Sequence, residues 1–345
     1  MPEISIIIPN WNGKQFLEDC LRSLRQQTFY DFETILVDNG STDGSVEYVL
    51  EAFPEVKIVA LTRNLGFTGG SLAGYEVAQG DLIVLLNNDT EAHPNWLAEI
   101  HEASLAVPSA GSFASKMMYF DERTRIENCG FVVSQSGATA ELGRDEIDRA
   151  EWDRPRSVFG ACAGAAAYRR SMLDEIGFLD SDFFMIYEDV DLSFRAQLAG
   201  YDCVYLPKAI VFHRYRSTIK KQPAKQVYYA QRNIEFVYWK NMPAGLLLRS
   251  APRRLLYELG AALFFFTQGA GVAFLRAKIA AFKMLPAMLR KRRTIQNSRI
   301  RNNAELLHRL RSNSLATTKW TKFLSIAGRR YEARLKSVLL RRENS

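Results

Sequence analysis

Short unbroken apolar runs alternate with stretches of helical period through the first two-thirds of the chain. Ile4-Ser5-Ile6-Ile7-Ile8 is the first run, ended by Pro9, which cannot donate to a sheet ladder. Phe16, Leu17, Cys20, Leu21 and Leu24 then recur on one helical face. Phe32-Glu33-Thr34-Ile35-Leu36-Val37 predicts a second strand ending at Asp38, and residues 57–61 predict a third. After a helix near 70–78 comes the most uniform run, Leu82-Ile83-Val84-Leu85-Leu86, which reads as a central strand buried on both faces. Trp96, Leu97 and Ile100 fit a returning helix. This alternation predicts an α/β fold, a doubly wound and mostly parallel sheet flanked by helices, with a nucleotide bound beyond the carboxyl ends of the strands.

The pattern is less regular further on. Residues 120–158 carry mixed charges and predict a loop or small hairpin over the site. The small residues of 159–167 either leave room for a ligand beside a strand or admit a closely packed helix. A helix is expected from Glu188 or Asp189 to Gly200, since glycine commonly stands just past a helix end. Residues 203–207 and 210–212 predict two short strands, the second ended by His213.

Candidate chemistry collects at the strand ends. Asp38 stands where such folds place a carboxylate against ribose or base. Asn87-Asn88-Asp89 can coordinate a hard cation and hydrogen-bond a sugar or phosphate, although the same residues suit a plain turn and helix cap. Gly66, Gly69 and Gly70 are expected to let the backbone approach a diphosphate. Neither G-x-G-x-x-G nor G-x-x-x-x-G-K-[ST] occurs, which argues against dinucleotide enzymes and P-loop NTPases. Glu188, Asp189 and Asp191 suit a helix N-terminus, yet Phe183, Phe184 and Tyr187 just before them offer aromatic faces on which a sugar stacks. Arg195 is spaced to pair with Asp191 along the helix. His213, following a strand, is a candidate metal ligand.

Composition adds a second feature. A chain of 345 residues, 47% of them hydrophobic, can bury a sizeable core and still carry an extension. Its four cysteines are scattered, suggesting neither a disulfide framework nor a zinc site and favouring a reducing, cytoplasmic setting. A core strand begins directly after Met1, so no signal peptide is expected. The net charge of +7 hides a split: residues 246–345 hold 22 Lys/Arg against 4 Asp/Glu, and residues 1–245 hold 23 against 34. The boundary at 245 therefore separates an acidic domain from a basic extension. Within the extension, the apolar run 259–275 is short for crossing a bilayer. Trp320, Phe323, Leu324, Ala327, Tyr331, Leu335 and Val338 recur at helical spacing among basic residues, the pattern of a helix lying on an anionic membrane surface. Docking on the acidic domain, or on a second subunit as a homo-oligomer, would use the same stripes. No nucleic-acid motif accompanies the charge.

Taken together, Ser5-Ile6-Ile7-Ile8-Pro9-Asn10-Trp11-Asn12, Val37-Asp38-Asn39-Gly40-Ser41-Thr42-Asp43-Gly44-Ser45, Arg63-Asn64-Leu65-Gly66-Phe67, Asn87-Asn88-Asp89, Glu188-Asp189-Val190-Asp191-Leu192, Gly200-Tyr201 and His213 resemble the family 2 glycosyltransferases of GT-A fold. The resemblance covers about residues 3–242, and Arg232-Asn233 and Lys240-Asn241 resemble the segment that closes this domain in bacterial members. It implies that Asp38, with Pro9, Asn10, Trp11, Asn12, Arg63, Asn64, Gly66, Asn87 and Asn88, binds a nucleoside-diphosphate sugar. It further implies that Asp89 and His213 hold a divalent Mg or Mn ion. Asp189 would be the general base of an inverting transfer, with Glu188, Asp191, Phe184 and Tyr187 orienting the acceptor. The metal motif of the family usually opens with Asp, and Asn87 in its place predicts a loosely held ion.

The implied donors are dTDP-rhamnose or UDP-hexoses, and the implied acceptors cell-surface glycans or lipid-linked sugars at the inner face of the membrane. Two alternatives share the sheet. A sugar-phosphate nucleotidyltransferase would need a glycine-rich basic loop after the first strand, where this chain has Pro9-Asn10-Trp11-Asn12-Gly13. A silent membrane-bound scaffold would not need Asp38, Asp89, Asp189 and His213.

Overall fold

The apolar runs pair in register to build the frame of the molecule, a computed structural model describing residues 1–214 and 223–310. Strand β1 (Ile4–Asn10) lies between β2 (Phe32–Asp38) and β4 (Leu82–Leu86), and β3 (Lys57–Ala60) adds beyond β2, all in parallel. On the other side of β4 runs the antiparallel β11 (Ala165–Arg169), then β6 (Ala110–Tyr119) and β12 (Asp202–His213), which are parallel to each other. The ten-stranded sheet is completed by short antiparallel pieces, β5 (Thr90–Ala92), β7 (Ile126–Asn128) and β10 (Arg156–Val158), at its margin. Six main strands therefore point the same way, and their carboxyl ends form one rim.

Helices cover both faces. On one face, α1 (Lys14–Arg25), α2 (Ser45–Ala52) and α4 (Trp96–Ala106) bury Leu17, Leu21, Val49 and Trp96 against β1 and β4. On the other, α3 (Gly66–Val77), α5 (Arg170–Ile176) and α6 (Glu188–Leu198) enclose Ile7, Leu85, Tyr168 and Leu192. The 120–158 segment forms the expected hairpin, β8 (Phe131–Val133) and β9 (Thr139–Glu141). All four cysteines are unpaired.

Two expectations are corrected and one open alternative is decided. The two short strands are one, β12, with a register shift between Leu206 and Ile210 that absorbs the mid-strand Pro207. Gly69 and Gly70 lie inside α3, where a side chain at Gly70 would strike Asn39 and Pro9. Their small size serves helix packing, not diphosphate approach. Of the two readings of the run 159–167, the closely packed helix holds at Gly160, which abuts Ser193 of α6.

After α7 (Pro223–Asn241) come α8 (Ala244–Thr267), α9 (Gly271–Asn297) and α10 (Asn303–Arg309). The apolar run 259–275 is broken by a turn at 268–270, with Gly269 at φ +73°, so α8 and α9 form a hairpin. No helix among the described residues is long and apolar enough to cross a membrane. Leu246, Ala281, Met288, Leu306 and Leu310 join Phe183, Phe194 and Phe236 in a third core cluster, so the first part of the basic extension packs on α6 and α7. The stripe from Trp320 to Val338 lies outside the described residues.

Candidate active site

The site grows from the strand rim. At the end of β1, Asn10 is buried, donates to Asp38 Oδ1 at 3.3 Å and accepts from Asn88 Nδ2 at 2.6 Å, tying the ends of β1, β2 and β4 together. Asp38 accepts the Ser41 amide at 2.9 Å, while Asn12, at φ +50°, accepts the Thr42 amide at 2.8 Å. Two loops are thus stitched side by side, with Trp11 exposed above them and Pro9 half-buried beneath. Asn64 caps the Gly66 amide, and Arg63 stands exposed.

Past β4, Asn87 Nδ2 and Asp89 Oδ1 lie 3.2 and 3.1 Å from His213 Nε2. The other ring nitrogen, Nδ1, is 2.7 Å from Glu127 Oε2, a buried carboxylate on β7. Burial alone would lower the imidazole pKa, but the bonds to Asp89 and Glu127 outweigh it and raise it to about 10. Sequence reasoning passed over Glu127; a lone acid in Ile126-Glu127-Asn128-Cys129, next to apolar residues in a segment read as irregular, was its only signal. The cluster offers one carboxylate and one imidazole nitrogen on the site side, with the far nitrogen held by a second carboxylate that orients the ring, and no group of three or more acidic, His or Cys side chains able to hold a metal occurs among the described residues.

Asp189 sits across the rim. Its Oδ2 accepts the Ala163 amide at 3.2 Å, and the next residue, Gly164, accepts from the Asn87 amide at 2.9 Å. Its Oδ1 accepts the amide of Val190 at 2.8 Å. Burial pushes Asp189 up to about 6, and these amides limit the rise. Neighbouring Glu188 goes further, to about 8, through burial and then the charge of Asp189, and its Oε2 finds no hydrogen-bond partner among the described residues. Asp38, Asp89, His213 and Asp189 therefore line one rim, joined through Asn10, Asn88, Asn87 and Gly164.

The loop before α6 is held in an uncommon backbone state. Phe184, Ile186 and Tyr187 have φ of +62°, +67° and +73°. Asn233 of α7 holds it by donating to the carbonyls of Phe183, Met185 and Ile186 at 3.0, 2.8 and 2.6 Å. Arg232 adds bonds to the carbonyls of Asp182 and Phe183. Phe184 stacks on Tyr229 at 5.1 Å, and its carbonyl accepts the Thr68 amide.

Some predicted roles change here. Asp191 does not face the acceptor side: it is fully buried, with Oδ2 taken by Lys240 at 2.8 Å and Arg195 at 2.9 Å and Oδ1 by Asn241 at 2.8 Å. Burial would raise its pKa, but Lys240 and Arg195 hold it below the usual range. Phe183 is core, edge-on to Phe236, and cannot stack on a sugar. A side chain at Gly66 would strike the carbonyl and ring of Phe184. Tyr187 turns its hydroxyl to Thr139, 3.3 Å away.

Residues 5–177 match the model of the family described as "Glycosyl transferase family 2". Among curated relatives, the O-antigen biosynthesis protein RfbC of Myxococcus xanthus is 30% identical over 61% of this chain and 17% of its own length. The N-acetylglucosaminyl-diphospho-decaprenol L-rhamnosyltransferase of Mycobacterium tuberculosis is 24% identical over 65% of this chain and 80% of its own. An uncharacterized Sinorhizobium fredii protein is 27% identical, and the match spans 24% of it, so this chain corresponds to a quarter or less of two of these relatives. The solved structure of S. aureus TarS 1-349 in complex with UDP superposes with TM-score 0.52 at 18% identity, covering 86% of this chain and 91% of that one. GalNAc-T7 with UDP, GalNAc and Mn2+ gives 0.56 at 16% identity, over 70% of this chain and 48% of the other. These likenesses carry the fold, which is GT-A.

Proposed function

Since the chain belongs to glycosyl transferase family 2, we propose that it moves a sugar from a nucleoside diphosphate to a glycan or lipid-linked hydroxyl with inversion, using Asp189 as base. The observation that supports this most is the convergence of Asp38, the Asp89–His213 pair and Asp189 on one rim of the sheet. Asp38 and Asn10 offer a buried polar floor for the nucleoside, with Trp11 and Asn12 beside the base. Asp89 and His213 would hold Mg or Mn; when bound, the ion neutralises charge on the departing diphosphate, and Mn accompanies two of the structural neighbours.

The chemistry asked of the protein is one proton transfer. A carboxylate near 6 is ionised at neutral pH and is only a modest step below a sugar hydroxyl made more acidic by attack. Asp189 takes the hydroxyl proton as the acceptor oxygen bonds to the anomeric carbon, and the bond from that carbon to the diphosphate oxygen breaks with its electron pair leaving on the diphosphate. Glu188, neutral at pH 7, is a hydrogen-bond donor beside the base. The M. tuberculosis relative favours a rhamnosyl donor and a lipid diphosphate acceptor. In this reading residues 1–245 do the chemistry, and 246–345 keep the enzyme at the inner membrane face.

The test is calorimetry with UDP, dTDP and GDP in Mn, followed by transfer assays with the sugar nucleotide of the base that binds. Asp189→Asn should retain donor binding and lose transfer by about a thousandfold or more. Near-normal turnover in that variant removes Asp189 from the base role.

A further inference from the structure

The α8–α9 hairpin is apolar on two sides. Its inner face packs on the third core cluster through Leu246, Ala281 and Met288, and Ala261 and Phe274 are buried as well. Its outer face also carries large apolar side chains at helical spacing. On α8 these are Leu248, Leu255, Leu259, Leu263 and Phe266; on α9, Val272, Leu275, Ile279, Phe282 and Leu289. Counting Leu256, the two helices hold 11 of the 20 large exposed apolar side chains among the described residues, a density that scattered surface residues do not reach. A helix pair with an apolar stripe on its outer side as well as its inner one needs a second apolar neighbour.

Charge selects that neighbour. Residues 244–297 contain ten Lys/Arg and a single acid, Glu258; Arg254, Lys278 and Lys291 pair with acids on the inner side, and the other seven make no ion pair among the described residues. At the open end of the hairpin, a cavity of about 370 Å³ is lined by Arg292, Arg293 and Arg299 with Gln296 and Asn303, and none of these arginines makes an ion pair among the described residues. A second copy of the chain would bring the same positive charge to this face. So would residues 311–345, with nine Lys/Arg against two Glu. An anionic bilayer brings the opposite charge together with an apolar interior.

We infer that the outer face of α8–α9 lies in the surface of an anionic bilayer, its apolar stripe among the acyl chains and its arginines on lipid phosphates. The inference deepens the proposed function, resting on its lipid-linked acceptor, because the hairpin is wired to the acceptor side of the site. Arg254 of α8 donates to the Ser136 carbonyl at 2.9 Å in the β8–β9 turn. From that hairpin Thr139 meets the Tyr187 hydroxyl, one residue before Glu188. A bilayer under α8–α9 would present a lipid-borne hydroxyl from the side on which Asp189 waits.

The experiment uses the full chain and flotation with vesicles of phosphatidylcholine alone or mixed with phosphatidylglycerol. Wild type should float with the mixed vesicles and much less with the neutral ones. The triple variant Leu259→Glu/Leu263→Glu/Phe282→Glu should stay in the pellet while keeping its Tm, because these side chains are exposed in the fold. Failure of wild type to float, or flotation of the variant equal to wild type, overturns the inference. So does a change from dimer to monomer in sedimentation with flotation unaltered, which would assign the face to a second copy. Nucleoside diphosphate binding is measured in parallel: its absence in wild type counts against the transferase reading and leaves the membrane result standing.

Discussion

Glu188 and Asp189 share a buried helix start, and their pKa values are pushed apart, to about 8 and about 6. Each number has a consequence. Transfer should fall as pH drops through about 6, because Asp189 takes up the proton it must be free to accept; a pH–rate profile flat down to pH 5 would remove it from the reaction. Stability runs the other way. The Glu188 carboxyl holds its proton in the fold until about 8, whereas in the unfolded chain it ionises near the ordinary 4.5. Its contribution is full below that lower value and is lost as pH rises to 8. Glu188→Gln should therefore gain in Tm over wild type progressively from pH 5 to pH 8, as read by scanning fluorimetry. Glu127 makes a third case at this scale. Glu127→Gln leaves Asp89 in place but loosens the imidazole, and should weaken Mn-dependent donor binding about tenfold or more without changing the metal-free affinity.

At the level of elements, α7 acts on the loop before α6. Asn233 is wholly buried and donates to three carbonyls of a segment whose φ values are positive at non-glycine residues. Asn233→Ala takes this donor from the Met185 and Ile186 carbonyls, while Phe183 keeps its bond from Arg232, and should cost about 2–4 kcal/mol in urea unfolding. It should also lower kcat more than it weakens nucleotide binding, since Asp38 and Asn10 lie elsewhere. Strands β1, β2 and β4 were readable in the chain because they are buried along most of their length, so apolar runs such as 82–86 have no competing period; β6, just as buried, was not, because Gly111, Ser112, Ser115 and Lys116 interrupt its apolar residues. The helix α3 was only half readable: its glycines signal a loop, and only contact with Asn39, Pro9 and Ile7 shows them to be packing sites. The carboxylates of the Glu188 segment looked equivalent. Asp191 is set apart by Lys240 and Asn241, about fifty residues away, partners no local pattern reveals. Asp189 was legible through its motif, Glu127 hardly at all.

Across the whole molecule, a buried ionic cluster joins the catalytic layer to the C-terminal helices. Lys240 lies 2.5 Å from Asp180 and 2.8 Å from Asp191, and Lys291 of α9 reaches Asp180 as well. Lys240→Met leaves the two acids without their central cation and should cost about 3–5 kcal/mol, measured by chemical denaturation. A loss under about 1 kcal/mol would show that Lys291 and Arg195 suffice. The third core cluster has a further consequence for how this protein can be divided. Phe183, Phe194 and Phe236 are roofed by Leu246, Met288, Leu306 and Leu310. A fragment ended near residue 245 would bare that roofless aromatic floor to water, and it should precipitate or melt early. Excision is thus the wrong tool for separating catalysis from the proposed anchoring; point changes on the solvent side of the last helices leave the roof on.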